Sequence, residues 1–370
     1  MSTPVKLPRW AELVLLPLIN LLAALVLSGV VVKILGESPW AACKLMVTGS
    51  VGTQEGIGYT LYYATNFMFT GLAVAVAYHA GLFNIGGEGQ AYVGGLGSGL
   101  VALWLGHLPF YVVAPVAILT GAAFGAAWAF VPGWLQARRG SHIVITTIMF
   151  NFIGSALMTY LLVNVLIRPG QQSPETREFG PGAFMPLASD LLAKMGIEFS
   201  PSPLNLAFAL AVAASVIVWL LVWRTRWGYG LRVVGQNQSA AVYAGISPPR
   251  VIVQAMLLSG ALAGSLGLNE LLGFQHRILI DFPGGAGFVG IAVALMGRNH
   301  PLGIFFAAVL FGALAQGGSQ LSFDMPKINR DMVVVIQGLV ILFCGALENV
   351  FRGTLGAVFA RFAKKPEATG

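Results

Sequence analysis

Residues 143–167 contain no charged side chain, and residues 56–78, 110–131 and 204–223 contain none either; residues 11–32 carry only Glu12. Each of these runs approaches or exceeds the roughly 20 residues with which an α-helix crosses a bilayer. Inside hydrocarbon the backbone must satisfy its own hydrogen bonds, and a helix does so within one segment. Composition closes off the soluble alternative. Of the 370 residues, 56% are hydrophobic and 9% charged, where a soluble domain carries roughly 25% charged residues. The chain is expected to be all-α, a polytopic integral membrane protein.

Ten spans are expected, at 11–32, 57–78, 85–105, 110–132, 143–167, 204–223, 251–272, 284–297, 301–321 and 332–351, within a single transmembrane domain covering 1–370. The third and eighth are rich in glycine. With the N-terminus inside, most of the 21 Lys and Arg residues fall in inner segments, as the positive-inside rule requires. Both termini are therefore expected in the cytoplasm. The same rule accounts for an isoelectric point of about 9.6 without a nucleic-acid partner. The first apolar run is longer than the roughly 7–15 residues of a cleaved signal's core, so it is read as a retained helix.

Three segments lie outside the spans. Residues 38–52 are mildly amphipathic and are expected along the outer surface. The outer loop 168–203 holds prolines 169, 174, 181, 186, 201 and 203. The inner loop 224–250 carries four arginines and no acid.

Catalytic and metal chemistry find no support. The histidines at 79, 107, 142, 276 and 300 lack ligand spacing, and Cys43 and Cys344 are placed too far apart to pair. No Gly-Lys pair exists to build a phosphate loop. No enzyme activity, metal or bound cofactor is expected of this chain.

Polar residues inside apolar segments are the informative ones. "GLFNIGGEGQ" (81–90) sets Asn84, Glu88 and Gln90 among glycines. A carboxylate facing lipid costs several kcal/mol, and irregular backbone survives only where protein or water covers it. A broken helix inside the bundle is expected here, with Glu88 either on a transport path or bonded locally. "NIGGEGQAYVGG" (84–95) also resembles "FPGGAGFVGIAV" (282–293), in spans that run in opposite directions. That pairing suggests an inverted repeat, although glycine-rich spans also resemble one another by composition. Tyr62, Asn66 and Thr70 recur every four residues, as do Thr147, Asn151 and Ser155; Ser265 and Asn269 repeat the spacing beside Glu270, and Gln337 stands alone. Such spacing lines one helix face. Each residue alone reads as glue between helices; together they suit a flat polar solute. The substrate-path candidates are Tyr62, Asn66, Asn84, Glu88, Gln90, Asn151, Asn269 and Gln337.

Within the inner loop, 238–244 favours a short helix with small side chains, suited to a groove in a cytoplasmic partner or to lipid headgroups.

Four motifs carry a family resemblance: "AGLFNIGGEGQ" (80–90), "HIVITTIMFNFIG" (142–154), "GLRVVGQNQSAAVYAGI" (230–246) and "GFVGIAVALMGRNHPLG" (287–303). Over residues 10 to 352 the chain resembles permease subunits of ABC importers in the ribose/branched-chain amino-acid superfamily, in particular the nucleoside (simple-sugar-type) branch. Phe150 and Phe152 stand where nucleoside permeases of this kind have Leu and Tyr. The resemblance implies a type II-like permease with an inverted-repeat core in the cell (inner) membrane. It also implies a second permease subunit, two cytoplasmic ATPases that use ATP and Mg, and an extracytoplasmic substrate-binding protein. The coupling element it implies comprises Arg232, Gln238, Ala240, Ala241, Tyr243 and Ala244. A nucleoside or simple sugar is the expected solute. Branched-chain amino-acid transport is the alternative within the superfamily, and a stand-alone secondary transporter or channel is the alternative outside it.

Overall fold

The computed structural model describes residues 15–328 and 330–343, together with Pro8, Ala11 and Leu355. The helices, in chain order, are α1 (Leu16–Ile34), α2 (Pro39–Val51), α3 (Gln54–His79), α4 (Gly87–Leu105), α5 (Phe110–Arg139), α6 (Ile143–Asn164), α7 (Ala188–Ala193) and α8 (Ala207–Arg224). They continue with α9 (Arg226–Gln236), α10 (Gln238–Tyr243), α11 (Pro248–Gly264), α12 (Ala286–Met296), α13 (Pro301–Asp324) and α14 (Arg330–Ile341). Among the described residues, extended pairing is limited to two isolated bridges, Glu175 with Leu279 and Leu187 with Asn205. The all-α expectation holds.

Among the described residues, six helical segments are long and apolar enough to cross a membrane, or seven if the bent pair α1–α2 counts as one. That is fewer than the ten spans expected. α12 has 11 residues and rises only about 16 Å, roughly half the hydrocarbon core. α4 is long enough, but Glu88, Gln90 and its glycines dilute its hydropathy. Cys344 and the end of the last expected span lie outside the described residues, while Cys43 is free and exposed.

The described residues divide into two compact units, one within 1–49 and 314–370 and one within 50–313. In the smaller, Val32, Ala42, Leu321, Ile328, Val333 and Ile336 form a core, and Lys327 pairs with Glu37 at 3.4 Å.

The larger unit is built around α3, 89% of whose most apolar stretch is buried, against 28% for α5, α6 and α8. The axis of the bundle is thus a helix carrying Tyr62, Asn66 and Thr70, and the purely apolar helices stand outside it. Thr53 starts α3 by accepting the Gly56 N–H at 3.0 Å, an ordinary N-cap. Around it, α4, α5 and α11 meet at glycines. A Cβ on Gly125 would stand 2.2 Å from the Gly260 carbonyl oxygen, and one on Gly94 would stand 2.1 Å from Gly264 Cα. Backbones this close need the four-residue spacing of Gly121, Gly125, Ala129 and Gly133 on one side and of Gly260 and Gly264 on the other.

The segment 168–203 is packed rather than free. Phe179, Ala183 and Met185 are buried. Its backbone bonds to the segment after α11, with Phe179 N–H donating to His276 O at 2.8 Å and Met185 N–H to Leu272 O at 2.9 Å.

Candidate functional site

Two buried polar groups lie in the larger unit. The first surrounds the broken segment before α4. The Asn84 side-chain amide donates to Gln90 Oε1 at 3.0 Å and to Ser259 Oγ at 2.8 Å. Its oxygen accepts the Gly86 N–H at 2.8 Å. Asn151 spans the break from α6: its oxygen accepts the Gly89 N–H and its nitrogen donates to Ile85 O, both at 2.8 Å. Thr147 Oγ1 accepts from Ile85 N at 3.4 Å. These side chains stand in for the backbone partners that the glycine-rich segment lacks.

Glu88 completes this group. Its Oε1 accepts the Gly285 N–H at 2.8 Å and its Oε2 the Gly287 N–H at 2.7 Å. The carboxylate of one glycine motif therefore caps the helix that follows the other, where a negative charge meets the positive end of the α12 dipole. A Cβ on Gly287 would stand 2.2 Å from Glu88 N, so glycine is required at this crossing. Thr70 adds a bond to Ala286 O at 3.0 Å.

The second group sits where α11 ends. After Gly264 the chain rewinds into a π-helical turn, Leu268–Gln275, a form found often at functional sites. The Tyr62 hydroxyl donates to Glu270 Oε2 at 2.5 Å, and the Asn66 amide donates to the same oxygen at 2.9 Å. The Asn269 amide donates to Asn66 Oδ1 at 2.8 Å and to Tyr62 O at 3.0 Å. Asn205 donates to Asn269 Oδ1 at 2.9 Å. Gln275 reaches Glu270 Oε1 at 3.3 Å. The Tyr62 ring lies 5.2 Å from Tyr63 and 5.3 Å from Phe274.

The path candidates thus fall into separate places. Tyr62, Asn66 and Asn269 come together around Glu270; Asn84, Gln90 and Asn151 come together around the break, with Glu88 reaching α12. Gln337 belongs to the smaller unit and is half-buried. Ser265 does not join Asn269, because its hydroxyl turns back to Ala261 O and the π turn shifts the facing residues. Ser259, Asn205, Phe274 and Gln275 were not singled out from sequence. For Asn205 a signal existed: it follows Pro203 just ahead of an apolar helix, and its oxygen accepts the Ala207 N–H at 2.9 Å.

The segment 224–250 forms α9 and α10 and begins α11. Asn237 caps α10 by accepting the Ala240 N–H at 3.0 Å. Gln238, Ala240 and Ala244 are exposed and Tyr243 is 95% exposed, whereas Ala241 is fully buried. Ala241 was expected on the partner-facing side; it instead seats α10 on its own subunit. Arg232, also expected to face a partner, donates to the Val222 carbonyl and ties α9 to α8. Beside it a cleft of about 540 Å³ is lined by Tyr78, His79, Leu82, Phe83, Arg232 and Gln236, among others.

Residues 56–345 match the family model described as branched-chain amino acid transport system / permease component. The chain belongs to this family. This permease component is 35% identical to the guanosine ABC transporter permease protein NupP of Bacillus subtilis, over 89% of this chain and 92% of that protein. It is 34% identical to the glucose ABC transporter permease protein TsgB13 of Haloferax volcanii, over 93% and 90%. To the nucleoside ABC transporter permease protein NupB of Lactococcus lactis it is 33% identical, over 89% and 90%. With several helices long and apolar enough to span a bilayer, the permease component is a multi-pass membrane protein.

Proposed function

We propose that this permease component carries a neutral nucleoside, or a related sugar, inward across the cell (inner) membrane, in a complex powered by partner ATPases. The observation that carries the reading is the pairing of near full-length similarity to guanosine and nucleoside permeases with a buried path chemistry that suits such solutes. Among the described residues the buried polar set includes Asn66, Asn269, Glu270 and Thr70 but no Lys or Arg. A zwitterion or phosphate losing water there would lack a compensating cation, whereas a neutral polyhydroxylated solute can exchange water for amides, hydroxyls and a carboxylate in turn. The branched-chain amino-acid alternative is therefore less favoured. The glucose permease relative supports a free-sugar reading as the second choice.

In this proposal about ten helices cross or enter the bilayer, with both termini cytoplasmic and α4 and α12 as the paired elements of an inverted-repeat core. A second permease subunit completes the path, and an extracytoplasmic binding protein delivers solute to loop 168–203. Two cytoplasmic ATPases bind ATP and Mg and hydrolyse the nucleotide; this chain binds neither. The coupling element is α10, presenting Gln238, Ala240, Tyr243 and Ala244 to an ATPase groove.

The test is ATP-dependent uptake by the reconstituted complex with its own binding protein, comparing guanosine, uridine, ribose, leucine and AMP. Nucleosides are expected to enter, with AMP and leucine left outside; leucine uptake without nucleoside uptake would sink the proposal. Ala244→Arg, on the exposed face of α10, is expected to abolish solute-stimulated ATP hydrolysis while the permease still inserts. Wild-type coupling in that variant would remove α10 from its assigned role.

A further inference from the structure

The two oxygens of Glu270 are unequally used. Oε2 accepts from Tyr62 at 2.5 Å and from Asn66 at 2.9 Å, while among the described residues Oε1 has only the long 3.3 Å contact from Gln275. A carboxylate offers about four acceptor positions, so Oε1 keeps spare capacity where Oε2 is filled. The two sides of the site also differ in exposure. Tyr62, Asn66 and Asn269 are buried, whereas Gln275 is half-buried and Phe274 is 43% exposed. The under-used oxygen is the one bonded by Gln275, the residue that follows the exposed Phe274, whose ring packs on Tyr62 at 5.3 Å. The π turn, closed by His276 in the left-handed region at φ 55°, brings Glu270, Phe274 and Gln275 to one edge.

We infer that Glu270 Oε1 reads the vicinal hydroxyls of the solute's sugar, with Phe274 and Tyr62 forming the wall on which its apolar face rests. The inference rests on the nucleoside-or-sugar reading above and names the group within it that distinguishes solutes. Among the described residues this carboxylate bonds a phenol and two amides, and no cation. The donors it can still take are O–H or N–H groups of a neutral ligand. A carboxylate accepting a ribose hydroxyl is the arrangement by which dinucleotide-binding folds hold their cofactor. A sugar presents two such hydroxyls side by side while its carbon face stays free to pack on a ring. A phosphate on the same solute would meet the carboxylate as a like charge.

The test uses the full complex in proteoliposomes with its binding protein. Guanosine, 2′-deoxyguanosine and 3′-deoxyguanosine are each supplied at concentrations that saturate that protein, so differences in capture drop out. The wild type is expected to carry guanosine about tenfold faster than either deoxy form, the discrimination of one charge-assisted hydrogen bond. Glu270→Gln keeps an oxygen for Tyr62 and Asn66 but turns the Oε1 position into a donor. It is expected to bring guanosine down to the deoxy rate while changing the deoxy rates less than twofold. A ratio unchanged by Glu270→Gln overturns the inference and leaves the importer reading standing; a wild-type complex that moves no nucleoside overturns both. If Glu270→Gln does not assemble, Phe274→Ala at its exposed position decides: all three solutes should slow by about threefold or more, and unchanged rates overturn the site.

Discussion

Glu88 and Glu270 are both buried carboxylates in the larger unit, and they are held in opposite ways. Glu88 spends both oxygens on backbone N–H groups of Gly285 and Gly287, which cannot turn away without unwinding α12. Glu270 is held by the side chains of Tyr62, Asn66 and Gln275, each able to rotate onto a passing solute. A buried acid in a transport protein is therefore no pointer to the path until its partners are known. Backbone partners make a clasp, and side-chain partners make a site that can exchange them.

The sharpest way to break this comparison is Glu88→Ala. It strands one buried N–H group, on Gly287, and one half-buried, on Gly285, each worth up to about 1–3 kcal/mol when left unpaired, so folded permease should fall, read as yield and Tm in detergent. Uptake per folded molecule should change little. If Tm holds and uptake collapses, Glu88 belongs to the path and the distinction fails. Gly287→Ala attacks the same clasp from the other side, forcing a methyl group to within 2.2 Å of Glu88 N; a loss of about 1–3 kcal/mol is expected from such overpacking.

Asn151→Leu should behave like the clasp and not like a path residue. It removes the partners of Gly89 N and Ile85 O, costing about 2 kcal/mol, with uptake falling only in proportion to folded protein. Tyr62→Phe should show the reverse pattern. It deletes one hydroxyl at a cost of about 1 kcal/mol, while transport per folded molecule slows several-fold. Equal Tm losses with equal specific rates in these two variants would merge the groups into one.

The smallest expected effect is on pH. His276 closes the π turn below Glu270, stacked on Phe184 at 3.8 Å. Burial, assisted by the Arg277 charge and opposed by Glu178, holds it below the ordinary histidine value of 6.5. A lowered histidine favours the folded contact when neutral. Its contribution is complete above pH 6.5 and is lost as pH falls through the lower folded value. Protection factors of the Phe179 and Met185 amides, corrected for the intrinsic exchange rate at each pH, should fall below pH 6.5 in the wild type and lose that dependence in His276→Phe.

Sequence reading reached the class of structure because lipid leaves a chain few choices. Helices α3, α6 and α8 begin and end within three residues of the spans expected there, while α5 runs seven residues past its expected end. Sequence reading also found irregular backbone in the motif 84–90, where glycines and polar side chains coincide, although only 84–86 of it stand outside α4. It paired Tyr62 with Asn66 by their four-residue spacing but joined Ser265 to Asn269 by the same rule, and there it failed. A π turn has a wider period, and nothing in "GSLGLNELLGFQ" announces it. The side of α10 that faces its own subunit was equally hidden, since Ala240, Ala241 and Ala244 differ only in where packing puts them. The clasp was half visible. The two glycine motifs were matched to each other as sequences, but the carboxylate bridging them is a tertiary fact.

α3 carries Tyr62 and Asn66 near one end and finishes at His79 and Gly81, where a Cβ on Gly235 of α9 would stand 2.3 Å from His79 O. The intervening helix measures about 25 Å at 1.5 Å per residue and is bonded along its length, to Ala286 O through Thr70 and to Ser259 through its own Ala73 O. It is a rigid rod with the solute's proposed foothold at one tip and the α9–α10 hairpin pressed against the other. A pivot of roughly 5° about its middle would move each tip by about 1 Å in opposite senses. That displacement suffices to lengthen a 2.5 Å hydrogen bond to Glu270 past its useful range. If α10 is the coupling element and Glu270 the acceptor of the sugar hydroxyl, as proposed, a push on α10 and the release of that hydroxyl are two ends of the same small rotation.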